Sequence, residues 1–450
     1  MTFSYIDLFA GCGGLSLGLE AAGGKLLTAV ERSPMAAETF FHNLIEPISD
    51  KSMWDEYVNR DVRYQVSKGL VVKELEKVLQ DAPSMEVLAA SAPDVVVGGP
   101  PCQGFSLAGR RNPEDARNSL PWQFLNLVEV TKPKVVVIEN VVGMRHKFGN
   151  EEAHVFDQLQ TALKETVPGY VVQAVEVNAL HYGAPQHRPR LMIIGLRQDI
   201  AKQKNIMSTT TLWHSNFLDK LETIPSLAPI PTIHTETRRT VRDALTGLSG
   251  SSIKGGHKIS SYSNNWGVLR GTTKTPANHV MRRHQPLSVL RFGLYQCLSD
   301  AGVDNKTLSN FTNGSTTERQ KIVEQLDKAL KFPLLTPEGV TLARNKSELE
   351  TLLVTTQTKK HSQRVLKLDE PARTVVTIGD DYVHPIEPRT FTVRELARFQ
   401  GFPDAYEFRA KETTGGLNRR NEVPQYSQVG NAVSPMLALA VGKLIETILA

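Results

Sequence analysis

Tyr5-Ile6-Asp7-Leu8-Phe9-Ala10-Gly11-Cys12-Gly13-Gly14-Leu15-Ser16 runs from an apolar strand, through a glycine-rich turn, into a helix. Leu15, Gly18, Leu19 and Ala22 recur at i, i+3, i+4 and i+7, one face of a helix that Gly23-Gly24 stops. Glycines at such a turn let a ligand approach the backbone, and the helix N-terminus adds polar N–H groups. A tight strand-to-helix turn could also use them for packing alone. Ser16 stands where the fingerprint G-x-G-x-x-G has its third glycine. Glu31 ends a second strand, Leu26–Glu31, where a carboxylate can accept hydrogen bonds from ribose hydroxyls. A nucleoside without a pyrophosphate, such as S-adenosylmethionine, suits this pair better than NAD.

Outward from this turn the first 200 residues alternate short apolar strands with helical stretches, the pattern of a doubly wound α/β sheet. Further strands are expected at Asp94–Val97, Val135–Glu139, Val171–Val177 and Leu191–Leu196. Asp61-Val62 falls where the third strand should end and would then face an adenine; a surface turn is the competing reading.

Three of these strand ends carry chemistry. Asp94–Val97 leads into Gly98-Gly99-Pro100-Pro101-Cys102-Gln103-Gly104-Phe105-Ser106. In open α/β sheets ligands bind beyond the carboxyl ends of the strands, and the two prolines fix φ there. A lone cysteine is usually an inert small hydrophobe, but a thiol so placed opposite a cofactor loop reads as a nucleophile. Glu139 directly follows Val135-Val136-Val137-Ile138, where burial should raise its pKa and let it deliver a proton near neutral pH. A carboxylate bonded to a helix N-terminus is the alternative. In Gln186-His187-Arg188-Pro189-Arg190 two arginines at i, i+2 point to one side of an extended chain and could hold a carboxylate and a carbonyl oxygen together. His187 points the other way and is read as structural.

The chain has 450 residues, of which 40% are hydrophobic and 22% charged, an ordinary globular composition. No apolar run approaches the roughly 18 residues of a membrane span, and the N-terminus lacks the pattern of a signal peptide. Cys12, Cys102 and Cys297 are too few and too scattered for a disulfide framework or a zinc site, so no metal is expected. A soluble protein of the reducing cytoplasm is the expectation. The net charge of +5 is unevenly spread. Residues 1–196 carry 18 Lys+Arg against 23 Asp+Glu, and residues 197–390 carry 27 against 18. Such a basic block is either a solvated face or a surface for a polyanion.

From about residue 205 to 385 the chain is rich in Ser, Thr, Asn and Pro, with basic pairs at Arg238-Arg239, Arg282-Arg283 and Lys359-Lys360. It is read as a second, smaller and irregular domain inserted between residues 1–204 and 386–450. Thr392-Val393-Arg394-Glu395 is a capping box opening a helix that Gly401 closes. Ser434-Pro435 opens a last helix, whose stripe of Leu437, Ala440, Val441, Leu444, Ile445 and Ile448 should pack on the α/β sheet.

In this order the motifs resemble those of the DNA (cytosine-5)-methyltransferases of prokaryotic modification type. The matching stretches are Asp7–Gly14, Gly99–Gln103, Glu139-Asn140-Val141, Gln186–Arg190, Arg394–Pro403 and Gln428-Val429-Gly430-Asn431-Ala432-Val433. The resemblance implies a Rossmann-like S-adenosylmethionine-dependent fold whose unmatched block, 205–385, is the target-recognition domain. It implies that Cys102 attacks C6 of a flipped-out cytosine, that Glu139 protonates N3, and that Arg188 and Arg190 bind O2 and orient Glu139. Phe9, Ala10, Gly11, Gly13, Gly14, Leu15, Glu31, Arg32, Asp61, Val62, Pro101, Leu120, Asn431, Ala432 and Val433 would then hold the cofactor, Phe9 by stacking on adenine. Gln103, Ser106, Arg117 and Asn140 would meet the DNA, with Gly104–Asn118 as a loop closing over the base. Double-stranded DNA as substrate, a cognate restriction endonuclease as functional partner, a monomeric state and nucleoid association follow from the same resemblance.

A tRNA cytosine methyltransferase on the same scaffold is the nearest rival. Those relatives carry a Cys-Phe-Thr element, whereas Cys297 is followed by Leu298-Ser299. A binding-only relative would be expected to lack the thiol or the acid, and a nicotinamide dehydrogenase is disfavoured by Ser16.

Overall fold

The computed structural model describes residues 2–101, 119–145, 155–248, 253–259, 262, 266–270, 276–415, 418 and 421–450. Cys102, Gln103, Ser106 and Arg117, with the rest of Gly104–Asn118, lie outside them.

Eight strands form one sheet: β1 (Phe3–Leu8), β2 (Gly24–Val30), β3 (Leu70–Val71), β4 (Val95–Gly98), β5 (Val135–Asn140), β6 (Tyr170–Asn178), β7 (Pro189–Arg197) and β8 (Trp213–His214). Their spatial order is β3-β2-β1-β4-β5-β7-β6-β8. All neighbouring pairs are parallel except those of β7, which runs antiparallel between β5 and β6. Only a short stretch joins β6 to β7, which permits antiparallel pairing but not a crossover. The six expected strands are present within a residue or two of their predicted ends. The very short β3 and β8 carry too little pattern to be read.

Alternation along the central strands explains the two layers. Val95, Val97, Val135 and Val137 face a core shared with the final helix, Pro435–Leu449. Val96, Val136 and Ile138 face the opposite core, built with Phe124, Leu127 and Leu159. The stripe predicted on the final helix lies in the first of these, so the chain's end completes its beginning. That helix also crosses the first helix, Gly14–Ala21, at glycine contact distance. A Cβ on Gly18 would stand 2.4 Å from Ala438 Cβ, and one on Gly442 would stand 2.5 Å from Ala22 Cβ.

The middle block is more ordered than its composition suggests. Helices Pro286–Asp300, Lys306–Asn313, Thr316–Ala329 and Lys346–Thr355 enclose a separate core with Phe292, Leu298, Phe311, Leu326 and Leu349. Their polar faces dilute the apolar periodicity. In contrast, Val241, Leu245 and Ile259 share a core with Phe40, Trp54, Phe391 and Phe399, so that part of the block is no independent domain. The chain also rejoins the first unit before residue 386. Ala372 N–H donates to Pro185 O at 2.9 Å, and His187 N–H donates to Ala372 O at 2.7 Å.

Gly18→Ala tests the helix crossing. Alanine's better helix propensity offers at most about 1 kcal/mol, whereas the new methyl meets Pro435 O and Leu439 N at 2.5 Å, backbone atoms that no rotamer change relieves. A net loss of about 1–2 kcal/mol is expected in urea unfolding; equal or greater stability would show that the helices can slide apart.

Candidate active site

β1 and β4 are neighbours from which the strand order departs in opposite directions, so a crevice opens at their carboxyl ends. Phe9 leaves β1 with φ 59°, a left-handed backbone conformation that costs a non-glycine residue about 1–2 kcal/mol. The loop glycines then divide by role. Added Cβ atoms would meet Tyr406 Oη at 2.8 Å on Gly13 and Val433 O at 2.3 Å on Gly14, so both serve packing. Gly11, at φ 57°, has nothing within 4 Å of its Cβ position and faces open space, as a loop admitting a ligand requires.

Glu31 is tied to this loop. Its carboxylate accepts from Gly11 N–H at 2.9 Å and from Ser33 N–H at 2.7 Å. Burial raises its pKa, and these amides partly offset that rise. Ser16 has a positive reason to replace glycine: its hydroxyl donates to Asp7 Oδ2 at 2.6 Å and pins the first helix to β1. Asp7 is fully buried, Oδ1 has no hydrogen-bond partner, and desolvation pushes its pKa up to about 7. Cys12 is buried, with its thiol pushed up to about 12 by desolvation, and the Cys297 thiol is pushed up to about 11. Both are inert sulfurs.

The end of β5 carries the second half of the site. Glu139 is 8% exposed and receives Arg190 Nε at 2.7 Å. It is therefore no isolated carboxyl but one half of an ion pair. A Cβ on Gly99 would lie 2.8 Å from Glu139 Oε2, so glycine is needed where β4 ends. Asn140 Nδ2 donates to Pro100 O at 2.9 Å. The end of β4 thus meets the end of β5 through Gly99 and Pro100, and the half-buried Pro101 follows, one residue short of Cys102.

The structure gives Arg188 and the Asp61-Val62 pair different surroundings from those expected. Arg188 does not bond to Glu139 as Arg190 does. Its guanidinium is buried and donates to Val375 O at 3.0 Å, Gly430 O at 2.8 Å and Ala432 O at 3.0 Å. These bonds hold the backbone on both sides of Asn431, whose own side chain is exposed. Asp61 and Val62 do not follow the third strand. Asp61 caps the helix Val62–Lys68, accepting from Tyr64 N–H at 2.8 Å, and β3 comes only afterwards. Val72 occupies the expected place, held by its N–H to Gln65 Oε1 at 2.8 Å. Gly69, with φ 89°, ends that helix and turns the chain into Leu70-Val71-Val72.

Of the other expected cofactor contacts, Ala10 is buried in the loop and Leu15 in the first turn of the first helix, Arg32 is exposed after Glu31, and Leu120 opens the helix Leu120–Thr131. Ala432 and Val433 precede the final helix. Ser434 caps that helix by position only, because its hydroxyl donates to Gln400 O at 2.7 Å.

Three buried glutamines had no role in the sequence reading. Gln186 accepts from Val375 N–H at 2.8 Å and donates to Phe399 O and Gln400 Oε1. Gln400 donates to Val429 O at 2.7 Å, and Gln428 donates to Met35, Arg409 and Val423 carbonyls. Only their place in the quoted motifs marked them, since an amide otherwise reads as surface.

Asp7 gives a pH prediction. Its folded pKa of about 7 lies above the unfolded value of 3.8, so the native state holds the proton between them. Relative to Asp7→Asn, wild-type stability should fall as pH rises from about 4 to 7, by roughly 4 kcal/mol in all, and then level off. Parallel urea curves for the two proteins across that window would refute the assignment.

The sequence model of the C-5 cytosine-specific DNA methylase family matches residues 3–447. The type II methyltransferase M.DdeI of Desulfomicrobium norvegicum is 28% identical over 98% of this chain and 88% of its own length. M.AgeI of Thalassovita gelatinovora is 29% identical over 98% of both chains. Among solved structures, a prophage-encoded candidate DNA modification methyltransferase from E. coli superposes with a TM-score of 0.53 at 22% identity, covering 99% of both chains, a likeness of fold. The glycine loop, the strand-end acid and the returning C-terminal segment therefore sit on a chain that belongs to the C-5 cytosine-specific DNA methylase family and is a DNA cytosine-5 methyltransferase.

Proposed function

We propose that this methyltransferase uses S-adenosylmethionine to methylate C5 of a cytosine flipped out of a specific duplex sequence, through a covalent bond from Cys102 to C6. The Glu139–Arg190 pair beside the β4 end carries this reading. Base flipping is needed because C5 and C6 are unreachable inside the stack.

The residues around Gly11 fit the cofactor. The open Gly11 position admits a ligand against the backbone, and the Glu31 carboxylate has lone pairs left for ribose hydroxyls. Phe9, Gly11, Glu31 and the 431–433 backbone would hold it. When bound, S-adenosylmethionine supplies an electrophilic methyl group. Cys102 forms a bond to C6 as a thiolate while Glu139 delivers a proton to N3, which turns C5 into a nucleophile. After methylation H5 passes as a proton to water, its bonding pair forms the C5=C6 bond, the thiolate leaves C6 with the C–S pair, and N3 returns its proton to Glu139. Arg190 holds Glu139 in place and is within reach of a base oxygen bound beside it.

Charge supports duplex DNA as the substrate. Residues 197–285 carry 13 Lys+Arg against 5 Asp+Glu, whereas the helical block 286–355 carries 8 against 8. The polyanion surface thus belongs to the first segment. Within its Arg282-Arg283 pair, Arg282 is ion-paired with Asp380 at 2.5 Å and lies over the Tyr426 ring, while Arg283 is exposed. Target recognition by the 205–385 block, a monomeric state and a cognate endonuclease are part of the same proposal.

A substrate duplex carrying 5-fluorocytosine should become cross-linked to Cys102, since fluorine cannot leave C5 as a proton does. No adduct with a proven substrate sequence would end the proposal. Cys102→Ala should abolish turnover yet bind S-adenosylmethionine normally, and Glu139→Gln should slow adduct formation by about a hundredfold or more. Replacing Arg283 with Ser should reduce the slope of log affinity against log salt by about 1, whereas Arg282→Ser should leave the slope unchanged.

A further inference from the structure

A cavity of about 850 Å³ lies behind the final helix, on walls that include none of the glycine-loop residues. Its volume is within the roughly 300–1,000 Å³ range of small-molecule sites. Leu439 and Leu444 of the final helix form one wall, and Ile224, Ile230 and Ile233 form the other. The second wall is preorganised: Pro225, Pro229 and Pro231 restrict its backbone, and Tyr182 Oη donates to Pro229 O at 3.0 Å. Ile230 remains 58% exposed on it, apolar surface that the chain itself does not cover.

The charges in this lining are of one sign. Arg239 and Lys443 contribute to it, and no carboxylate does among the described residues. Lys443 is paired with Glu446 at 2.8 Å. Arg239 is half-buried and makes no ion pair or hydrogen bond among the described residues. A half-buried cation with no counter-charge among the described residues, set against apolar walls, suits an anionic partner that brings its own apolar body.

We propose that this cavity is a binding site for a small amphiphilic carboxylate, its chain or ring lying between the two apolar walls and its acid group paired with Arg239. The site is distinct from the methyl-transfer centre, and its occupancy is measurable without turnover.

Isothermal titration of the full chain with sodium decanoate and with decyltrimethylammonium, both below their micellar concentrations, tests this. Decanoate should bind one equivalent, and the cation of equal chain length should bind at least about tenfold more weakly, the worth of one charge-assisted hydrogen bond. Arg239→Gln should weaken decanoate by a similar factor. Leu439→Trp and Ser226→Trp, which fill the cavity from opposite walls, should abolish binding. Ser226 is exposed, so its variant remains informative if the helix variant fails to fold. The absence of decanoate binding, equal binding of the cation, or undiminished binding by the folded tryptophan variants would overturn the proposal.

Discussion

A guanidinium sealed from water must find acceptors inside the protein, and Arg188 finds three carbonyls lying 187 to 244 residues further along the chain. That requirement determines where the returning chain can lie. Val375, Gly430 and Ala432 are drawn to one point beside β7, and Gln186 and Gln400 add amide bonds around it. Once those carbonyls are held, Val433 is set against Gly14 and the final helix against the first. Losing the guanidinium would leave buried carbonyls unpaired where three segments meet.

The same organisation separates a rigid half of the site from the half that must accept ligands. Gly13 and Gly14 are filled by neighbouring side chains and backbone, whereas Gly11 opens outward with Glu31 behind it. At the ends of β4 and β5 the close approach of Gly99 to Glu139, and the Asn140 bond to Pro100, fix the acid relative to the strand that leads to Cys102. Arg190 then provides the charge that a buried carboxylate otherwise lacks.

The inserted block is joined to this scaffold by more buried guanidiniums. Arg394 donates to Ala277 O at 2.8 Å and Arg398 to Ala244 O at 2.9 Å, both from the helix Val393–Gln400. Desolvation lowers the Arg394 pKa to about 10, still cationic at neutral pH. The segment bearing most of the positive charge is thus anchored to the catalytic unit, while the neutral helical block keeps a core of its own.

Sequence alone determined the sheet strands with apolar runs, the glycine turn, the carboxylates ending β2 and β5, and the capping box at Thr392, because each is written in local periodicity or turn chemistry. It also placed Glu139 and Arg190 at strand ends, and the family resemblance implied that both arginines orient that acid, a contact that Arg190 makes. Tertiary structure decided what depends on partners distant in the chain. It separated Arg188 from Arg190, which two residues of spacing cannot do, since acceptors and not side-chain direction distinguish them. It moved the third strand from Asp61-Val62 to Leu70–Val71, because a two-residue strand exists only through pairing with Ala29 and Val30. And it turned polar glutamines into core residues, since whether an amide is buried depends on which carbonyls the fold brings to it.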